Sequence, residues 1–122
     1  MIPVEDIGAD VVAAVAARDH VALSQLFAPE VRLRALIPPG PVERNGAEES
    51  ATLIGSWFAD AEIFGLVGSE VSTVADRLHV RYQFVGTEEG DDFIVEQQMY
   101  AQVEGGKLTD VTLLCSGFRP RT

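Results

Sequence analysis

Cysteine, tryptophan and histidine are scarce in this 122-residue chain: it has one cysteine, one tryptophan and two histidines. The lone Cys115 cannot close an internal disulfide, so the expected setting is a reducing one, the cytoplasm. His20 and His79 lie far apart in sequence and offer no metal-ligand spacing with that single cysteine. The acidic run "EEGDD" is too short and irregular for a calcium loop and reads as a charged hairpin tip. Basic residues are also few, 9 against 19 acidic ones, giving a net charge of −10. They are scattered from Arg18 to Arg121 without a stripe, which excludes nucleic acid and anionic membrane as partners. No apolar run is long enough to span a bilayer, and the acidic start "MIPVEDIGAD" lacks the positive and apolar regions of a signal peptide. Glycine-rich nucleotide loops and a Gly-x-Ser-x-Gly nucleophile motif are missing too, so no cofactor and no metal are expected.

Hydrophobic residues make up 47% of the chain and charged residues 23%. That is ordinary globular usage, and the length suits one domain over residues 1–122. In "VEDIGADVVAAVAARD", Val4, Ile7, Val11 and Val15 recur at helical spacing, with early acids and a late Arg18 suiting the helix dipole. Asp19 reads as the N-cap of a second short helix, "HVALSQLFA", which Pro29 should stop. "EVRLRALIP" alternates Val31, Leu33, Ala35 and Ile37 against Arg32, Arg34 and Leu36, the pattern of a half-buried strand. "PPGPVERNG" reads as a turn-rich connection. A third helix is expected from Gly46 to about Ala61, with Leu53, Ile54, Trp57, Phe58 and Ala61 on its apolar face. Four strands follow, "IFGLVGSEVSTVA", "RLHVRYQFVG", "DFIVEQQMYAQV" and "KLTDVTLLCSGF". Short Gly-, Asp- and Glu-rich turns separate them, which predicts an antiparallel meander.

The element order is helix, helix, strand, helix, then four strands. With "LSQLFAPEVRLRA", "NGAEESATLIGSWF" and "VEQQMYAQVEGGKLTDVTLLCSGF", it resembles the SnoaL-like domains of the nuclear transport factor 2-like superfamily across nearly the whole chain. The resemblance implies an α+β fold in which three helices pack on a strongly curved antiparallel sheet. It also implies a cone-shaped cavity between them.

Strand alternation sorts the side chains. Leu78, Val80, Tyr82 and Phe84 share one face with Phe93, Val95, Gln97 and Met99 of the next strand and with Val111, Leu113 and Cys115 of the last. Opposite Trp57 and Phe58, this face forms an apolar lining with few polar groups, as a small-molecule site requires. The expected lining is Trp57, Phe58, Tyr82, Phe84, Val95, Gln97, Met99, Leu113 and Cys115. Gln97 is the informative member, because a buried amide must find a partner in protein, water or ligand. A hydrogen bond to Tyr82 or to a helix end is the simplest.

Catalysis finds weaker support in the sequence. Cys115 needs a base to act as a nucleophile, but His79 points away and His20 sits at an edge. Ketosteroid isomerases of the resembled superfamily use an aspartate base that falls near Ala35. Their oxyanion-hole tyrosine falls near Val11, and their second donor falls near Gln97 or Met99. None of the three types matches. The weak catalytic candidates are therefore His20, Tyr82, Gln97 and, only with a one-residue register shift, Glu96. The first reading is a domain that binds a small hydrophobic molecule. The alternatives are a cyclase-, isomerase- or hydratase-type enzyme acting on a polyketide- or steroid-like substrate, and a non-catalytic dimerisation module. The outward sheet face carries Arg81, Gln83, Glu96, Gln98, Tyr100 and Gln102 with Ile94 and Leu114, a mixture that suits a polar homodimer interface.

Overall fold

The computed structural model describes residues 3–38 and 40–121. Helix α1 (Val4–Ala16) buries Ile7, Val11, Val12, Ala14 and Val15 along one stripe. It ends in a Schellman turn: Arg18 takes a left-handed φ of 54°, its N–H reaches the Val15 carbonyl, and the Asp19 N–H reaches the Ala14 carbonyl. Asp19 then caps α2 (His20–Leu26), its carboxylate accepting from the Ala22 N–H at 3.0 Å. The helix ends before Pro29, which lies inside strand β1 (Phe27–Ile37) rather than stopping α2.

The stretch read as a turn-rich connection is a strand. β2 (Gly40–Asn45) pairs antiparallel with β1 from Ile37↔Gly40 to Arg32↔Asn45. Pro41 is tolerated because β2 is an edge strand, where a missing N–H costs no ladder bond. Pro39, in the same stretch, lies outside the described residues. Helix α3 (Ala47–Phe58) follows Gly46, whose φ of 102° lets the chain turn while its N–H bonds the Val31 carbonyl. α3 is shorter than the sequence pattern suggested, and its fully buried seam is Ser50, Ala51, Ile54 and Phe58.

The remaining strands are β3 (Ile63–Val74), β4 (Arg77–Glu88), β5 (Asp91–Glu104), β6 (Lys107–Cys115) and the two-residue β7 (Arg119–Pro120). Glu89–Gly90 and Gly105–Gly106 both have positive φ at two successive residues, the geometry of tight hairpin turns. The sheet order is β2-β1-β6-β5-β4-β3, with β7 paired to β5. Every pairing is antiparallel except β1 with β6, which run parallel, so the all-antiparallel expectation needs that correction. Chain order explains it: α3 and the meander carry the chain away from β1, and β6 returns beside it in the same direction. Register shifts in β3 between Leu66 and Gly68, and between β5 and β6 at Gln102/Val103, are the sites where such sheets bend. The three helices lie on one face and form a single apolar core with the sheet. Among the described residues no helix is long and apolar enough to cross a membrane.

Candidate functional site

Alternation along β4, β5 and β6 places Tyr82, Gln97 and Cys115 in one inward row, since Tyr82 pairs with Gln97 and Gln97 with Cys115. Around them stand Phe84, Val95, Met99 and Leu113, all buried. The Tyr82 hydroxyl donates to Gln97 Oε1 at 2.6 Å. That satisfies the amide oxygen, as the sequence suggested. The amide nitrogen is different: Gln97 is 1% exposed, yet its Nε2 has no partner among the described residues. Ser50 Oγ, on the buried seam of α3, is also without one. Burial, followed by the neighbouring Cys115, holds the Tyr82 phenol protonated far above its ordinary value of about 10. Cys115 is 9% exposed, and its sulfur accepts the Gly117 N–H at 3.4 Å.

Beyond this row the interior is aromatic. Phe58 packs against Phe64, Phe84 and Phe118, with ring centroids 5.1, 5.5 and 5.9 Å away. Tyr82 joins through Phe84 at 5.3 Å, and Phe93 meets Phe118 at 4.9 Å. Phe118 follows Gly117, whose φ of 82° turns the chain out of β6 toward β7. It is the most open of these rings, 40% exposed while still touching the cluster. The inner row is thus closed to solvent, and Phe118 stands at the end where the aromatic cluster reaches the surface.

The remaining sequence candidates fall elsewhere. Trp57 is half-buried and packs on the flank of the core, beside rather than within the seam of α3. His20 is exposed at the start of α2, in a surface groove of about 540 Å³ that it shares with Arg18, Thr52, Gly55, Ser56, Ala59 and Ala61. Glu96 points to the outer face, where Arg81 and the Gln83 amide each donate to its carboxylate at 3.0 Å. His79 is on that outer face as well, between Ser72 at 3.2 Å and Gln98 at 3.0 Å and stacked on Tyr100. Sequence reasoning missed Phe64, Ser50, Phe118 and Arg18 as contributors. Phe118 gave only the signal of an aromatic after a lone Gly. Arg18 looked like a dipole-complementing charge on α1. Its guanidinium instead donates to the Phe58 and Ala61 carbonyls, at 3.1 and 2.7 Å, and lies over the Phe64 ring.

No family model and no curated protein matches the chain. Solved structures do. IdmH, a proposed polyketide cyclase from Streptomyces antibioticus, superposes with a TM-score of 0.74 at 17% identity, over 94% of this chain and 93% of its own. The fold is nuclear transport factor 2-like. A proposed polyketide cyclase from Pseudomonas putida matches it at a TM-score of 0.70 and 17% identity, covering 93% of this chain and 91% of its own. A protein from Catenulispora acidiphila with a ketosteroid isomerase-like fold, solved in complex with trimethylamine, matches at 0.72 and 18% identity, over 88% and 83%. In all three the likeness spans most of this chain, from 88% to 94% of it. At these identities a nuclear transport factor 2-like fold is what the likeness establishes.

Proposed function

We propose that this chain is a single ligand-binding domain over residues 1–122 that holds a small hydrophobic molecule against the inner sheet face, beneath α3. The observation that carries this reading is the unpartnered Gln97 Nε2. Leaving a buried amide donor unpaired costs about 1–3 kcal/mol, and a domain whose role were only to pack would gain by an apolar residue there. A bound molecule that accepts from this nitrogen removes the cost. The polyketide cyclase and ketosteroid isomerase-like neighbours support a binding role by analogy of fold. Entry is assigned to the Phe118 end, where a single partly exposed ring follows the turn at Gly117. The test is a thermal-shift screen of uncharged apolar compounds, with hits mapped by amide NMR. Binding should raise the melting temperature and move resonances of Tyr82, Gln97, Phe118 and Cys115. Hits that map only to the helix surface overturn the proposal.

Cyclase-, isomerase- or hydratase-type chemistry on the same ligands finds less support. The ionisable groups on the inner row are Tyr82 and Cys115, and a phenol held protonated serves as a donor, not a base.

The outer sheet face supports a further reading, a homodimer. Tyr100, Leu114 and Leu36 are exposed there, with Leu114 in register with both Gln98 and Leu36. They adjoin the Arg81–Glu96–Gln83 network, so an apolar strip lies beside satisfied polar groups, the usual make-up of an interface. The lone buried cysteine supports a reducing compartment, the cytoplasm.

A further inference from the structure

We propose that the free edge of β3 docks an extended, basic segment of another protein, which adds a strand to the sheet. The two edges of the sheet, β2 and β3, differ in kind. β2 is six residues long and carries Pro41, Glu43 and Arg44, features that keep an edge from pairing with other chains. β3 is twelve residues long, contains neither proline nor a basic residue, and carries Glu70 as its one charge. Its Ile63, Leu66, Val67 and Val74 are 66, 42, 53 and 53% exposed. β4 pairs with β3 from Ile63↔Thr87 to Val74↔Arg77, and among the described residues nothing pairs with the other side of β3. The outward N–H and C=O groups there are a template for one more strand.

The strand is held ready for this. Gly8 of α1 packs so closely on Val71 that a Cβ there would clash, which fixes the inner side of β3. On the outer side Ser72 meets His79 of β4 at 3.2 Å. The register shift between Leu66 and Gly68 leaves residues 68–74 as the longest unbroken stretch, with the exposed Leu66 and Val67 at its end. Charge selects the occupant. Glu70 is exposed and has no ion pair among the described residues, and neither has Glu62, just before β3. The neighbouring cations are engaged: Arg81, opposite Glu70, binds Glu96, and Arg77 lies beside Asp76. A second copy of this chain brings another net charge of −10 to the edge, whereas a segment with lysines brings the missing sign. Alternation sets the pattern of the docked strand: apolar side chains beside Val71 on the inner face, basic ones beside Glu70 on the outer. The edge lies apart from the inner row, so its partner binds whether or not that row holds a ligand.

Fluorescein-labelled peptides test this in anisotropy titrations of the full chain. The probes are TVKVTVK, its acidic counterpart TVEVTVE, and two forms of TVKVTVK methylated on alternate backbone nitrogens, one form for each edge of the peptide. Opposite charges across strands predict that TVKVTVK binds about three- to tenfold more tightly than TVEVTVE. Strand addition uses one edge of the peptide, so one methylated form should lose about tenfold or more while the other still binds. Glu70→Gln, an exposed change outside every ion pair named here, should narrow the lysine preference without altering the circular dichroism. In amide hydrogen exchange, alternate amides of residues 68–74 should exchange at once in the free chain and become protected by TVKVTVK. Equal binding of the lysine and glutamate peptides, equal binding of the two methylated forms, or a preference that Glu70→Gln leaves intact overturns the proposal. Binding that leaves the β3 amides unprotected, or no binding of TVKVTVK at millimolar concentration, does the same. Protection in the free chain that grows with its own concentration gives the edge to a second copy and overturns the basic partner.

Discussion

Tyr82 and Gln97 face each other directly across β4 and β5, and the phenol donates to the amide oxygen at 2.6 Å inside an otherwise apolar interior. Removing one partner leaves the other unsatisfied. Tyr82→Phe strands the whole amide and should cost about 1–3 kcal/mol. Gln97→Leu strands the phenol but also removes the unpartnered nitrogen, so its cost should be smaller. The double variant replaces both by apolar groups and should be more stable than Tyr82→Phe alone. Urea denaturation of the four proteins measures this cycle, and strictly additive costs would show that the pair is not coupled.

The same burial makes stability sensitive to alkali. Tyr82 is held protonated in the folded chain, whereas in the unfolded chain it releases its proton near pH 10. The folded state therefore binds the extra proton, and its stability falls as pH rises past about 10; below that the contribution is fully present. Denaturation at pH 8 and pH 11 should show a loss in the parent that is reduced in Tyr82→Phe. Equal losses in both proteins would mean that Tyr82 ionises freely when folded.

Two adjacent aromatics of α3 should differ in what they contribute. Phe58 is fully buried and meets three other rings, so Phe58→Ala should cost about 3–5 kcal/mol. Trp57 is half-buried on the flank, and Trp57→Ala should cost clearly less, despite the larger side chain. Chemical denaturation of the two variants gives the order. A larger loss for Trp57 would rotate α3 from the phase described.

These contrasts mark how far the sequence could be read. The β4, β5 and β6 alternation was legible because period two has only one possible error, a shift of register, and the apolar set Leu78, Val80, Tyr82 and Phe84 forbids it. That alternation alone puts Tyr82, Gln97 and Cys115 in one row. Helix phase is softer. Leu53 and Trp57 are as apolar as Ile54 and Phe58, and the small Ser50 and Ala51, which let α3 approach the sheet, carry little signal. β2 was hidden because prolines and charges on an edge strand look like a turn. The unpaired nitrogen of Gln97 was beyond reach, since it depends on which side-chain atoms meet.

Assembly is tested on the opposite face. If Tyr100, Leu114 and Leu36 cover one another in a two-fold pair, sedimentation equilibrium should give twice the 13.2 kDa chain mass at micromolar concentration. Leu114→Glu places a charge in that strip and should shift the mass to that of one chain without changing the circular dichroism. A single-chain mass for the parent at every concentration contradicts the dimer.

The most direct test of the central claim follows the side-chain amide of Gln97 itself. In a ¹⁵N-labelled chain titrated with acetophenone, the Gln97 Nε2 resonances should shift progressively and saturate, because a new acceptor engages a donor that had none. Those of Gln83 and Gln98, on the outer face, should stay in place. A Gln97 amide that remains fixed while resonances elsewhere respond, or while none responds, would contradict a ligand site on the inner face.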